Sequence, residues 1–166
     1  MSNYYSSGKI AIPNVTGDIV ITATAVPSAT SYTNLADPSS SEWLVNKRIN
    51  SAGQPVDGAG KTCANGIACA AGDIIYVKGA PGFSLTTAND RIAIFAGAIT
   101  GGVIYSEYGQ AWLNNAENNT YGYMRKLADG YYAIHINKEN AANMRMCFNT
   151  PEDAASIIIT RNEEII

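Results

Sequence analysis

Short runs in which apolar and polar residues alternate, repeatedly interrupted by Gly, Pro, Asn and Asp, constrain this chain more than any other feature. In residues 131–137, Tyr132, Ile134 and Ile136 fall on one side and Tyr131, Ala133 and His135 on the other. In residues 144–149, Met144, Met146 and Phe148 alternate with Arg145, Cys147 and Asn149. An extended backbone sends successive side chains to opposite faces, so each run predicts a strand with one buried face. Residues 18–26 are rich in β-branched side chains and residues 43–49 form a further short candidate strand. Ala71-Gly72-Asp73 launches a strand over 74–78, which Gly79-Ala80-Pro81-Gly82 ends. Residues 91–95 and 103–108 read as a hairpin around Gly101-Gly102, and 157–160 as a last apolar strand. Residues 27–41 and 50–60 read as loops.

At least seven such runs with turns between them, and no sustained 3.6-residue period, predict an all-β fold. The expected architecture is an antiparallel β-sandwich, jelly-roll-like, with long loops and at most one short helical turn. That turn is placed at residues 151–155, where Thr150 and Pro151 suit the first helical positions. Residues 1–26 read as a lead-in strand segment and 27–166 as the sandwich, one compact unit overall.

Charge narrows the function classes. Charged residues make up 15% of the 166, against an average of about 25%. The net charge is -3 and the 11 Lys and Arg are scattered, which argues against nucleic acid as a partner. No apolar run approaches the roughly 20 residues of a membrane span. Residues 1–10 lack the basic and apolar regions of a signal peptide.

Three cysteines do not form a disulfide framework. Cys63 and Cys69 flank Asn65-Gly66, a strong hairpin signal. A two-residue turn would aim the two sulfurs to opposite faces, whereas a three-residue loop would bring them opposite each other. The reading favours free thiols, with Cys147 packed as a small hydrophobe.

Catalytic signatures are thin. His135 is the single histidine, so Ser-His-Asp or Cys-His chemistry would have to use it, and its strand position favours a structural or surface role. Cys63, Cys69, Cys147 and His135 would need to converge to hold zinc, and no metal is expected. Gly58-Ala59-Gly60-Lys61-Thr62 mimics the end of a phosphate loop, but Pro55 stands where that motif needs glycine, so it reads as a flexible loop. Asp18, Asp57, Asp73, Asp90 and Asp129 read mostly as turn residues. No catalytic residue and no cofactor is assigned, and the chain is not expected to be an enzyme. Glycan binding fits best, because sugars offer apolar faces to aromatics and hydroxyls to amides. Tyr105, Tyr108, Trp112, Asn114, Asn115, Asn118, Tyr121 and Tyr123 form a dense aromatic–amide stretch in an expected loop and are the candidate ligand-binding residues. The alternative is that Trp112 belongs to the core and the asparagines make turns. Trp43 is expected in the core.

Three blocks carry a family resemblance. The first is Thr33-Asn34-Leu35-Ala36 with Glu42-Trp43-Leu44 and Arg48-Ile49-Asn50-Ser51-Ala52-Gly53. The second is Ala70-Ala71-Gly72-Asp73-Ile74-Ile75-Tyr76-Val77-Lys78-Gly79 with Arg91-Ile92-Ala93-Ile94-Phe95. The third is Met144-Arg145-Met146-Cys147-Phe148 with Ile157-Ile158-Ile159-Thr160-Arg161-Asn162-Glu163-Glu164. In this order the chain resembles jelly-roll modules of bacteriophage and prophage tail, fibre or baseplate proteins, and residues 8–25 resemble the lead-in that often precedes them. The resemblance implies a virion location, with assembly in the bacterial cytoplasm and action outside the cell. It also implies other virion proteins and a bacterial cell-surface polysaccharide as partners, and a homo-oligomer, trimeric by analogy with fibres. A purely structural decoration or linker domain and a glycan-cleaving tail enzyme are the alternatives.

Overall fold

The computed structural model describes residues 32–149 and 156–165 and the backbone of residues 5–6 and 9–10. Contacts divide the chain into Met1–Thr30 and Ser31–Ile166. In the first unit β1 (Tyr5–Ser6) and β2 (Lys9–Ile10) form a small antiparallel ribbon. The strand expected over 18–26 and the helical turn expected over 151–155 lie outside the described residues.

The second unit is built from β3 (Leu44–Ile49), β4 (Pro55–Cys63), β5 (Ile67–Ala68), β6 (Ile74–Lys78), β7 (Arg91–Phe95), β8 (Val103–Tyr108), α1 (Gly109–Asn114), β9 (Gly122–Ala128), β10 (Tyr131–Ile136), β11 (Asn143–Asn149) and β12 (Ile158–Arg161). All strand pairs are antiparallel. One sheet runs β12-β6-β10-β9; the other runs β3-β4-β11-β7-β8, with β5 also on β11. The chain is thus an all-β sandwich, as the alternation predicts.

The core lies between the inner faces. Ile75, Val77, Met124, Tyr132, Ile134, Ile136 and Ile159 come from the four-stranded sheet, and Ile92, Ile94, Met144, Met146 and Phe148 from the six-stranded one. Trp43 joins them, its ring 5.8 Å from that of Phe148. Removing these side chains from water is the main driving force for the two layers to stack.

The six-stranded sheet is buried on its outer face as well. Cys63, Ala93, Phe95 and Cys147 point away from the main core and are covered by Ile49 and Ile99. The β3–β4 ribbon can bend over them because its register shifts between Val45 and Lys47. Asn46 takes a left-handed φ of 58° there, and its side chain accepts the Gly60 N–H at 3.3 Å. Arg145 and Cys147, on the strand face opposite Met144, Met146 and Phe148, are therefore buried too. Arg145 spends its donors on the backbone carbonyls of Ala64, at 2.8 Å, and Glu42.

Three local expectations are corrected. Residues 55–60 are not a loop but most of β4, so the Gly58-to-Thr62 segment is a strand rather than a flexible phosphate-loop mimic. A side chain at 58 would meet Arg48 Cβ at 2.9 Å, so glycine lets β3 and β4 approach. Asn65-Gly66 does not reverse the chain: β4 and β5 both pair with β11, and the dipeptide is a jog between them. Asn65 holds the jog by accepting the Asp37 N–H at 2.9 Å and donating to Leu35 O at 3.1 Å, while the Gly66 N–H donates to Glu42 Oε2 at 3.0 Å. The helical turn α1 sits at Gly109–Asn114, inside the stretch expected to be a loop.

Candidate functional site

The candidate aromatic–amide stretch is distributed over four elements. Tyr105 and Tyr108 lie on β8, Trp112 and Asn114 on α1, Asn115, Asn118 and Tyr121 in the following loop, and Tyr123 on β9. Trp112 is fully buried and donates its indole N–H to Ile92 O at 3.2 Å, so it offers no face to a ligand. It anchors a column instead. The Tyr105 ring meets it edge-on at 5.3 Å, and Tyr121 stacks on Tyr105 at 4.2 Å with planes 2° apart. Tyr121 is the ring of this column farthest from the core. Lys138 Nζ lies 5.6 Å from its centroid.

Beside Tyr121 opens a cleft of about 380 Å³ lined by Asn118, Asn119, Thr120, Asn137, Lys138 and Glu139. Several amides of this region are occupied by the loop itself. Asn119 Oδ1 accepts the N–H groups of Tyr121 at 2.9 Å and Gly122 at 3.3 Å. Asn137 donates to the carbonyls of Glu117 at 2.8 Å and Asn119 at 2.7 Å, and Asn115 to Gly122 O at 2.9 Å. These bonds fix the loop, so the cleft is pre-shaped. Asn118, Lys138 and Glu139 add donors and acceptors at its wall.

The other candidates fall elsewhere. Asn114 is exposed and accepts from Gln110 within α1, at 3.0 Å. Tyr108 is 42% exposed, with the Arg91 guanidinium 4.1 Å from its ring centroid, and borders a separate groove with Thr86, Thr87 and Asn89. Tyr123 faces outward from the four-stranded sheet, stacked on its cross-strand partner His135 at 4.2 Å, with Arg125 4.5 Å from its centroid. Burial and the neighbouring Arg125 hold the His135 imidazole below its ordinary pKa, partly offset by Glu117.

The cysteines and acids also separate. Cys69 sits in the main core; Cys63 and Cys147 are register partners in the outer one, and all three are free thiols. The Arg91 N–H donates to Cys147 Sγ at 3.1 Å. Asp57 pairs with Lys47 at 2.6 Å, and Asp129 accepts the Gly82 N–H at 2.9 Å. Asp73 pairs with Arg161 at 2.7 Å. Burial pushes the Asp73 carboxyl up, but hydrogen bonds from Asn162, Ala70 and Arg161 outweigh it and hold it below the ordinary carboxylate range. Asp18 lies outside the described residues. Among the described residues no three His, Cys, Asp or Glu side chains gather as a metal site. Among them, too, no helix is long and apolar enough to cross a membrane.

Asp90 is a turn residue, as expected: its N–H donates to Thr87 O at 3.0 Å. What the sequence does not show is that its carboxylate is fully buried, in contact with Lys61 and Thr87. The glycine-rich lead into Lys61 masks this, because the same composition suits a loop.

Comparison with family models, with curated proteins and with solved structures finds no match to this chain.

Proposed function

We propose that this is a non-enzymatic binding module that recognises a bacterial surface glycan through Tyr121 and the adjoining amide-lined cleft. The observation that carries the reading is the pre-shaped cleft of Asn118, Asn119, Thr120, Asn137, Lys138 and Glu139 beside a ring backed by Tyr105 and Trp112. A rigid aromatic beside polar groups matches the apolar faces and hydroxyl rims of a sugar. A ring already fixed by stacking loses little further freedom on binding. The resemblance of the three sequence blocks to phage tail, fibre and baseplate modules supports a virion context, with other virion proteins and further copies of the chain as neighbours.

A purely structural virion role is the second reading. It is favoured by Asn115, Asn119 and Asn137, whose side chains already serve the loop backbone.

A glycan array followed by titration calorimetry tests the proposal. Binding that Tyr121→Ala removes, with the far-ultraviolet circular dichroism unchanged, supports recognition at this cleft. No binding at millimolar sugar favours the structural role. Sugar release from host cell walls would instead mark a glycan-cleaving enzyme.

A further inference from the structure

At the outer end of the β4–β11 pair, Lys61 and Asn149 are direct register partners, so their side chains lie side by side on one face of the sheet. Lys61 Nζ reaches Asn149 Oδ1 at 2.7 Å and Thr87 Oγ1 at 3.0 Å, and it contacts the Asp90 carboxylate. The other oxygen of Asp90 accepts the Thr87 hydroxyl. Asp90 is fully buried and the Lys61 side chain is 11% exposed. A buried ion pair is costly to desolvate and does little that an apolar pair could not. Here the pair has a third member, because the amine lies against a carboxamide while a buried carboxyl touches the amine.

We propose that Lys61 and Asn149 become joined by an isopeptide bond across the two strands, formed by the folded chain itself with Asp90 as the proton-transfer group. The Asp90 carboxylate takes a proton from the Lys61 ammonium. The freed Nζ lone pair attacks Asn149 Cγ, and the carbonyl electrons move onto Oδ1. Asp90 then protonates Nδ2 and takes the second proton from Nζ. Collapse of the oxyanion restores the C=O and breaks the Cγ–Nδ2 bond. Ammonia leaves and carries off the remaining proton as ammonium. No electron is gained or lost, and no co-reactant is needed.

Three features fit this chemistry. Pairing of β4 with β11 fixes the nucleophile against its target, as an intramolecular reaction requires. Burial raises the Asp90 carboxyl above its ordinary range despite the bonds from Lys61 and Thr87, which suits a group that must accept and return a proton. Asn149 sits at the exposed end of β11, so ammonia has an exit.

Intact-mass measurement of the denatured, reduced full chain decides the question. The expected mass is lower than that of the sequence by one ammonia, and a tryptic digest should yield one branched peptide joining the Lys61 and Asn149 segments. Lys61→Arg and Asn149→Ala should each restore the full sequence mass. Asp90→Ala, if its circular dichroism stays β-rich, should do so too. A wild-type chain with the full sequence mass overturns the proposal. So does loss of one water with Lys61 linked to Asp90, or an ammonia loss that maps to Asn65-Gly66 as a succinimide. A folded Asp90→Ala chain that still cross-links removes Asp90 from the mechanism.

Discussion

On the outer side of the six-stranded sheet, Cys63, Ala93, Phe95 and Cys147 are closed under Ile49 and Ile99; on the outer side of the four-stranded sheet, Tyr76, Tyr123, Arg125 and His135 stay half-open to water. Both faces arise from the same alternation, each lying opposite residues of the main core. The difference lies in a remote ribbon. The β3–β4 hairpin folds back over one face, while in the described part of the molecule the other carries only its own rings and cations, tiled as Tyr123 on His135, Arg125 near Tyr123 and Lys78 5.4 Å from the Tyr131 centroid. Alternation decides which residues share a face. Whether that face meets water is decided by segments far away in sequence.

The comparison breaks hardest at Phe95. It is fully buried, and Phe95→Ala should cost about 3–5 kcal/mol in urea unfolding. A loss near zero would mean that the hairpin does not close this face. Trp112→Ala belongs to the same class, removing the base of the Tyr105–Tyr121 column at a similar cost of roughly 3–5 kcal/mol and weakening the main core. Gly53 comes next. Its φ is 75°, and an added Cβ would lie 2.9 Å from Phe95 Cζ, so Gly53→Ala should lose about 1–3 kcal/mol through crowding at the lid. On the open face, Tyr123→Ala removes a cross-strand stack at a half-exposed position, and a smaller loss of roughly 0.2–1 kcal/mol is expected.

The smallest effect is electrostatic. The folded-state pKa of His135 lies below its unfolded value of about 6.5. The unfolded chain therefore binds the proton more readily, and the stability linked to this group is fully present above that value. It is lost as pH falls through the depressed folded pKa. Unfolding midpoints measured from pH 8 down to pH 5 (roughly the span over which histidine titrates) should decline more in the wild type than in His135→Gln. Identical slopes would show that the imidazole is not held neutral by its surroundings.

Much of the sandwich was legible because inner-face residues obey a local rule. Tyr132, Ile134 and Ile136, and Met144, Met146 and Phe148, occupy the core as their spacing predicts. Gly101-Gly102 does join β7 to β8 as a hairpin. The failures share a cause. Gly58 and Gly60 signal a loop by composition, yet serve close approach and bending within β4. Asn65-Gly66 signals reversal, but its side chain is recruited by Leu35 and Asp37, some thirty positions earlier. Asp90 does close the turn that its sequence suggests, but nothing local announces that Lys61 is brought against its carboxylate across 29 positions. Within the candidate site, the aromatic content was visible, but burial of Trp112 depended on α1 docking against β7, and engagement of the amides on the backbone groups of Glu117, Asn119, Tyr121 and Gly122.

The position of β11 carries a consequence for synthesis. It lies between β7 on one side and β4 and β5 on the other, yet it follows all three of them in sequence. A ribosome extruding this chain from its N-terminus must release β4, β5 and β7 with unsatisfied edges and hold them so until residue 149 clears the exit tunnel. Such non-local closure is slow, on the order of milliseconds to seconds. The nascent chain is therefore most exposed to aggregation and chaperone capture in the interval before β11 emerges, and premature termination just upstream would leave the larger sheet split into separate β3–β4 and β7–β8 pairs.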